Sequence, residues 1–375
     1  MTKQEFVFCT NCGAKNPSNA KYCTNCGHPL VSLADSNQAT SDQDDSNKTI
    51  ISATTSRINR WTGGNGAVKV SLRDFFGQVF KHHTKVEAEE IFIVGTPETT
   101  PSLDQLVNDR VQPWLFSRAL LFTFGLSILL WLLAMLNPRI GVLVSLDAVT
   151  SIAVPISALI LFFEINVYKN ISFYQIVQIL LFGGVLSLIL TMIIDIFLAS
   201  NGQFDLIGAL TTGVAEEVAK VLVAAYFIYR LNVKRIFNGM LIGAAIGSGF
   251  AAFENIMYMV NDQTGQLASI GSALYRTLWS ISDHTEWCAI SAAALVLAMK
   301  GQEFELGDLL KPTFLKFLIS VILIHALWDW EFTDLNIVHV ALAIITWLFV
   351  FVLIHAGLRE VKELQMQIKQ DKLTE

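Results

Sequence analysis

Glu216, Glu217 and Lys220 stand in the middle of an otherwise apolar stretch that begins at Gly213 and runs Val-Ala-Glu-Glu-Val-Ala-Lys-Val-Leu-Val-Ala-Ala. A charged side chain at mid-bilayer costs roughly 2.5–3.5 kcal/mol on insertion scales. Adjacent carboxylates also repel, so the pair resists carrying two charges. Residues kept under those conditions mark a site for chemistry inside the membrane. On a helix, Glu216 and Lys220 are i,i+4 and share a face, while Glu217 is i,i+3 from the same lysine. Lys220 can therefore neutralise one carboxylate and leave the other to hold or take a proton. Which glutamate does which stays open at this level.

Three further apolar segments carry polar groups. The next one has small residues every fourth position, Gly239, Gly243, Gly247 and Ala251, followed by Glu254 and Asn255, with Phe250 four before the glutamate. The small stripe alone reads as ordinary close helix packing; Glu254-Asn255 asks for more. The following segment offers His284, with Thr277, Ser280 and Ser291 on its polar side and Arg276, Asp283 and Glu286 nearby. The last offers His325 and Asp329, i,i+4, beside Trp328 and Trp330. A carboxylate one turn from a histidine can orient its ring and fix its tautomer. Together these groups describe a polar cavity equipped for acid–base work.

The elements that hold them must be membrane helices. Of 375 residues, 53% are hydrophobic and only 15% charged, against roughly 25% charged in soluble domains. Eight candidate spans run at about 115–136, 141–163, 174–199, 206–229, 236–260, 274–299, 313–330 and 337–357, each near the length a bilayer requires. Lys and Arg gather in alternate loops, at Lys169, at Arg230, Lys234 and Arg235, at Lys300 and Lys311, and after Arg359, whereas the other loops carry only Arg139. The positive-inside rule then puts both termini in the cytoplasm of a multi-pass cell-membrane protein. The expected fold is an all-α polytopic membrane protein, with its membrane domain over 113–358 and a cytoplasmic tail over 359–375.

The amino-terminal third is different. The first 30 residues are polar and Cys-rich and do not read as a cleavable signal peptide. Cys9-x2-Cys12 and Cys23-x2-Cys26, each followed by Gly, form two knuckles that present four sulfurs to one tetrahedral structural zinc. A redox pair would not need the duplicate, and free thiolates suit a reducing compartment, in agreement with a cytoplasmic amino end. Such ribbons usually stabilise a docking surface, so a protein partner is expected there and no nucleic acid. Residues 31–66 are rich in Ser, Asn, Asp, Gln and Thr and read as a disordered tether. Residues 67–112 read as a cytoplasmic juxtamembrane segment, a short helix followed by a strand-like stretch at Ile91-Phe-Ile-Val. Adjacent His82 and His83 would point apart on a helix, which suggests a solvated face.

Glu216-Glu217-x-x-Lys220, Phe250-x-x-x-Glu254, the His284 helix and His325-x-x-x-Asp329 resemble, in order and spacing, the motif series of PrsW-type intramembrane proteases. That group is related to the CAAX-processing and bacteriocin-immunity (Abi) membrane proteases. The resemblance covers about residues 200–330, with Ser280 standing where the third motif tends to have Phe. It implies cleavage of a membrane-spanning or juxtamembrane peptide, as in the processing of anti-sigma factors, with the lipid bilayer as the medium.

Peptide hydrolysis needs an activated water, an oxyanion stabiliser and a proton for the leaving amine. In a metal-free version, Glu216 or Glu217 is the base assisted by His284, while His325, oriented by Asp329, and Asn255 stabilise the oxyanion, and Lys220 and Glu254 tune charge. In a metal version, His284, His325 and a carboxylate hold a catalytic zinc and a glutamate remains as base. The HExxH signature is missing from the sequence, which favours the metal-free version. Two other classes fit the same residues: a proton- or cation-coupled transporter using the acids as a relay, and a non-catalytic receptor whose ribbon recruits partners. Transporters often carry internal repeats, and none is evident between the halves of the eight segments.

Overall fold

The computed structural model describes residues 6–8, 15–17, 24, 50–137, 139–198, 205–261, 282–330 and 336–374. The chain divides into two units, Met1–Ile50 and Ile51–Glu375. In the first, strands β1 (Phe6–Phe8) and β2 (Lys15–Pro17) pair antiparallel, with Val7 opposite Asn16. The buried Asn16 side chain accepts hydrogen bonds from the Thr24 amide and hydroxyl at 2.8 and 2.9 Å, which closes the small module. Cys9, Cys12, Cys23 and Cys26 lie outside the described residues.

The second unit is all-α. Its amino-terminal portion corrects three expectations. Helix α1 (Ile50–Trp61) occupies the end of the stretch expected as a tether. Its apolar residues are few but fall on one face: Ile58 is buried, and the Trp61 ring packs edge-on against Phe317 at 5.4 Å and tilted against Phe349 at 5.8 Å. After the short α2 (Leu72–Phe75), α3 (Lys85–Phe92) continues through Ile91-Phe92, where a strand-like stretch was expected. Thr84 and Glu87 close a capping box that starts this helix, a local signal stronger than a four-residue apolar run. His83 is not on a solvated face. Its ring stacks on Trp114 at 3.7 Å and Nε2 lies 2.9 Å from the Gln78 carbonyl.

Helices stand at all eight expected span positions: α4 (Leu115–Leu136), α5 (Ile140–Ile165), α6 (Phe173–Gln178) continued by a π turn (Ile179–Gly183) into α7 (Gly184–Leu198), α8 (Leu206–Arg230), α9 (Ile236–Asn261), α10 (His284–Met299), α11 (Pro312–Asp329) and α12 (Asn336–Thr374). Six of these positions hold helices long and apolar enough by themselves to cross a membrane. The other two are α8, which carries the two glutamates and the lysine, and α10, which has 16 described residues. Helix α10 is buried along nearly its whole length, whereas α8 buries the face with Glu216, Glu217 and Lys220 and leaves Ile207 and Tyr226 exposed on another. Local signals set their ends: Asp205 caps α8 by accepting from the Gly208 amide at 2.7 Å, and Pro312 opens α11.

The core forms around α9 and α10, which are buried on nearly every side. Glycines make this possible. A Cβ at Gly243 would collide with the Cys288 carbonyl, and one at Gly247 with the His284 carbonyl. The small stripe is therefore the close α9–α10 contact that helix packing predicts. A second close approach involves the π turn, where a Cβ on Gly249 of α9 would strike the Leu180 carbonyl. At the periphery α4 is mostly exposed, with Leu121 and Phe122 facing outward, as expected of a lipid-facing helix. Helix α12 has 39 residues, or about 58 Å at 1.5 Å per residue. It is about twice the hydrocarbon thickness and runs unbroken into the region expected as a tail.

Candidate active site

Four helices bring the polar groups together. Gly213 lets α8 cross α11 closely, since a Cβ there would already lie 3.2 Å from the Ile322 carbonyl. One turn further along α8, Glu217 meets His325: its Oε1 is 2.8 Å from His325 Nδ1. The α9–α10 contact does the same for the other pair. With Gly247 against the His284 carbonyl, Glu254 two turns on places Oε2 2.7 Å from His284 Nε2.

Lys220 joins the halves. Fully buried, its Nζ lies 2.7 Å from Glu217 Oε1 and 2.7 Å from His284 Nδ1. The Phe250 ring lies beneath the ammonium at 4.3 Å, a cation–π contact. An ammonium can only donate, so His284 Nδ1 accepts and its Nε2–H donates to Glu254. The tautomer of His284 is thereby fixed from both sides. His325 lies between two carboxyl groups, with Nε2 3.2 Å from Asp329 Oδ2. Trp287 packs against both rings, 4.6 Å from His325 and 5.2 Å from His284.

The two glutamates do not share an environment. Glu217 is completely buried and has one oxygen held by Lys220 and His325. Glu216 Oε2 lies 3.6 Å from Lys220 Nζ and 3.7 Å from both His284 Nδ1 and His325 Nε2, without a hydrogen-bond partner among the described residues. It also lines a cavity of about 220 Å³ between α7, α8 and α9. Neighbours on a helix point about 100° apart, so one carboxylate faces α11 while the other faces the meeting point of two imidazoles.

Residues 172–355 match the family model described as PrsW family intramembrane metalloprotease, and residues 8–30 match that of a zinc-ribbon domain. The membrane domain belongs to the PrsW family. No curated protein and no solved structure matches the chain significantly. The protein is thus a multi-pass membrane protein that carries an intramembrane protease family domain over residues 172–355 and a zinc-ribbon match at its amino end.

The family description implies a metal, and the PrsW domain has a donor set that fits one. Glu216, His284 and His325, all buried, each offer an atom within 4.8 Å of the others. Two imidazoles and a carboxylate suit zinc, and the unpartnered Glu216 oxygen is where a cation would be welcome. Lys220 Nζ already uses His284 Nδ1, so a metal there would require the lysine to give up that contact.

Of the residues named from sequence, Glu216, Glu217, Lys220, Glu254, His284, His325 and Asp329 converge. Asn255 is buried beside Glu254 on α9. Of the polar surroundings expected of His284, Asp283 and Glu286 are found beside it. Asp283 and Glu286 form the capping box that starts α10, which puts His284 at a helix start, and Arg276, Thr277 and Ser280 lie outside the described residues. Sequence reasoning missed Trp287, three residues beyond His284, and also Thr191 and Asp195 of α7, which line the Glu216 cavity. The cost of an acid in an apolar run, applied to Asp195, was signal enough to find it.

Proposed function

We propose that this chain hydrolyses a peptide bond of a membrane-spanning or juxtamembrane protein, with Glu216 as the carboxylate that activates the attacking water. The observation that carries this reading is the Glu216 Oε2 atom, buried, unpartnered and equidistant at 3.7 Å from His284 Nδ1 and His325 Nε2. A base needs a free lone pair within reach of water and substrate; Glu217 Oε2 is unpartnered too, but that side chain is wholly buried with its other oxygen held by Lys220 and His325, whereas Glu216 lines the cavity.

The remaining groups take supporting parts. Lys220 offsets Glu217, so the buried site is not burdened with two unmatched carboxylates. Glu216, having taken the proton of the attacking water, itself hands it to the leaving amine, with His284 held beside it by Lys220 and Glu254. His325, gripped by Glu217 and Asp329, faces the developing oxyanion together with Asn255. A zinc held by Glu216, His284 and His325 is the second reading, favoured by the compactness of that donor set. Such an ion would polarise the scissile carbonyl and lower the pKa of a bound water.

The substrate is a protein whose span or its margin can enter from the bilayer, and regulated proteolysis of an anti-sigma-type factor fits that class. Both termini are assigned to the cytoplasm from the loop charges, and Cys9, Cys12, Cys23 and Cys26 to a structural zinc whose ribbon docks a protein partner. The deciding experiment uses the full chain in vesicles with the four ribbon cysteines replaced by Ser, so that ribbon metal does not confound the measurement. Cleavage that survives metal depletion and is lost in Glu216→Gln supports the glutamate base. One tightly bound zinc per chain, lost in His325→Ala together with cleavage, would replace it with the metal reading. Cleavage untouched by Glu216→Gln would rule out both.

A further inference from the structure

The cavity at Glu216 has a second polar wall that the reaction as described does not use. Helix α7 lays Leu188, Thr191, Met192 and Asp195 along it, while Glu216, Phe250 and Glu254 close the opposite side. Thr191 and Asp195 are i,i+4 and share a face. The outward face of α7 is apolar, with Ile196 77% and Phe197 83% exposed, as suits contact with lipid. The helix therefore presents a polar stripe to the site and a greasy one to the bilayer. Thr191 is 8% exposed, and neither its Oγ1 nor Asp195 Oδ1 has a hydrogen-bond partner among the described residues. A buried polar atom left unpaired is costly, and more so where no water surrounds the protein.

Thr191, Asp195 and Glu216, each with an oxygen that has no hydrogen-bond partner among the described residues, thus line one chamber. What fills it must bring hydrogen-bond donors. A lipid tail has none. A single cation is a poor match, because the one His/Cys/Asp/Glu group tight enough for an ion among the described residues is Glu216, His284 and His325, without Asp195. About 220 Å³ is room for several molecules the size of water, at about 30 Å³ each. An extended peptide segment fits both the volume and the chemistry, since its backbone N–H groups are donors that must be satisfied once its own helix is unwound.

We infer that Thr191 and Asp195 of α7 are substrate-binding residues that accept hydrogen bonds from backbone N–H groups flanking the scissile bond, making α7 the wall along which an unwound membrane peptide is laid against Glu216. The inference rests on the hydrolase reading above. The carboxyl of Asp195 accepts in either protonation state, so the contact does not depend on its charge.

The test uses full-length protein in phosphatidylcholine vesicles and a quenched-fluorescent peptide library built on a span of about 20 apolar residues with varied central positions. For the best-cleaved peptide, Asp195→Ala and Thr191→Val each raise KM by about tenfold, with kcat within about threefold of wild type, the size expected for a lost buried hydrogen bond. Replacing the flanking N–H groups of that peptide one at a time by ester oxygen supplies the complementary deletion. At one position it raises the wild-type KM by a similar factor and leaves that of Asp195→Ala unchanged. Asp195→Leu keeps roughly the shape of the side chain while removing both acceptor oxygens, and takes the place of the alanine variant should that one unfold in a thermal melt. Unchanged KM in these variants, or ester penalties that persist undiminished in them, overturns the inference while Glu216 chemistry stands. If the wild type cleaves nothing, or Glu216→Gln cleaves as well as wild type, the hydrolase reading falls and the inference falls with it.

Discussion

At the scale of single residues, the site is a problem of matching buried charge. Lys220 and Glu217 are each entirely buried, and their Nζ–Oε1 contact of 2.7 Å is what makes either tolerable. Removing one member of such a pair leaves the other uncompensated, which costs about 3–5 kcal/mol, whereas removing both together can be nearly neutral. Lys220→Met and Glu217→Gln should therefore each lower the melting temperature sharply, and the double variant should recover much of the loss. A double-mutant cycle of thermal stabilities checks this, and strictly additive losses would contradict the pairing. Glu216→Gln should differ in kind. Its Oε2 makes no hydrogen bond among the described residues, so stability should change by less than about 1 kcal/mol while cleavage falls by about 100-fold or more.

Part of this could be read from the chain and part could not. The spacing Glu216-Glu217-x-x-Lys220 fixes which side chains share a helical face whatever surrounds the helix, so the pairing with lysine was legible. Which glutamate stays reactive was not, because that depends on the helix that each face meets. Here α11 with His325 covers Glu217. His83 went wrong for a related reason: its partner Trp114 is 31 positions away and nothing local announces the stack.

At the scale of elements, the geometry of the site is a matter of interhelical distance. Gly247 lets α9 touch the His284 carbonyl directly. Gly247→Val should force α9 and α10 apart, at a cost of about 1–3 kcal/mol for overpacking. It should also break the 2.7 Å contact between His284 and Glu254 and abolish most of the activity. Gly125 of α4 is the control, because a Cβ there meets nothing within 4 Å. Gly125→Ala should leave both stability and cleavage close to wild type. Equal damage from the two substitutions would show that the α9–α10 contact has no special part. The small stripe itself was visible in the sequence; the helix that it would meet was not. The π turn at Ile179–Gly183, whose Leu180 carbonyl lies close against Gly249 of α9, was invisible too.

At the scale of the whole molecule, hydropathy placed the eight helices well, because a bilayer imposes length and apolarity directly. It was less informative before residue 113. There α1 forms from a sparsely apolar sequence, since Trp61 finds Phe317 and Phe349, and Arg359 donates to the Thr62 carbonyl. Removing residues 1–49 should leave the membrane unit folded, as Ile51–Glu375 is a compact unit of its own. Size-exclusion profiles and melting curves of the truncated chain in detergent check this, and aggregation on removal of the ribbon would contradict it. The alternation of positive loops predicts both ends on the cytoplasmic side, so reporters fused to either terminus should both give a cytoplasmic signal.

The most direct measurement of the central claim compares membrane proteomes of cells carrying wild-type protein or Glu216→Gln at equal abundance, scoring spanning proteins for a break within or beside the span. The expected result is that a defined set of spanning proteins accumulates uncut with Glu216→Gln and is cut with wild type. Identical processing in the two, with the variant folded and present, would contradict the assignment of Glu216 as the reacting group.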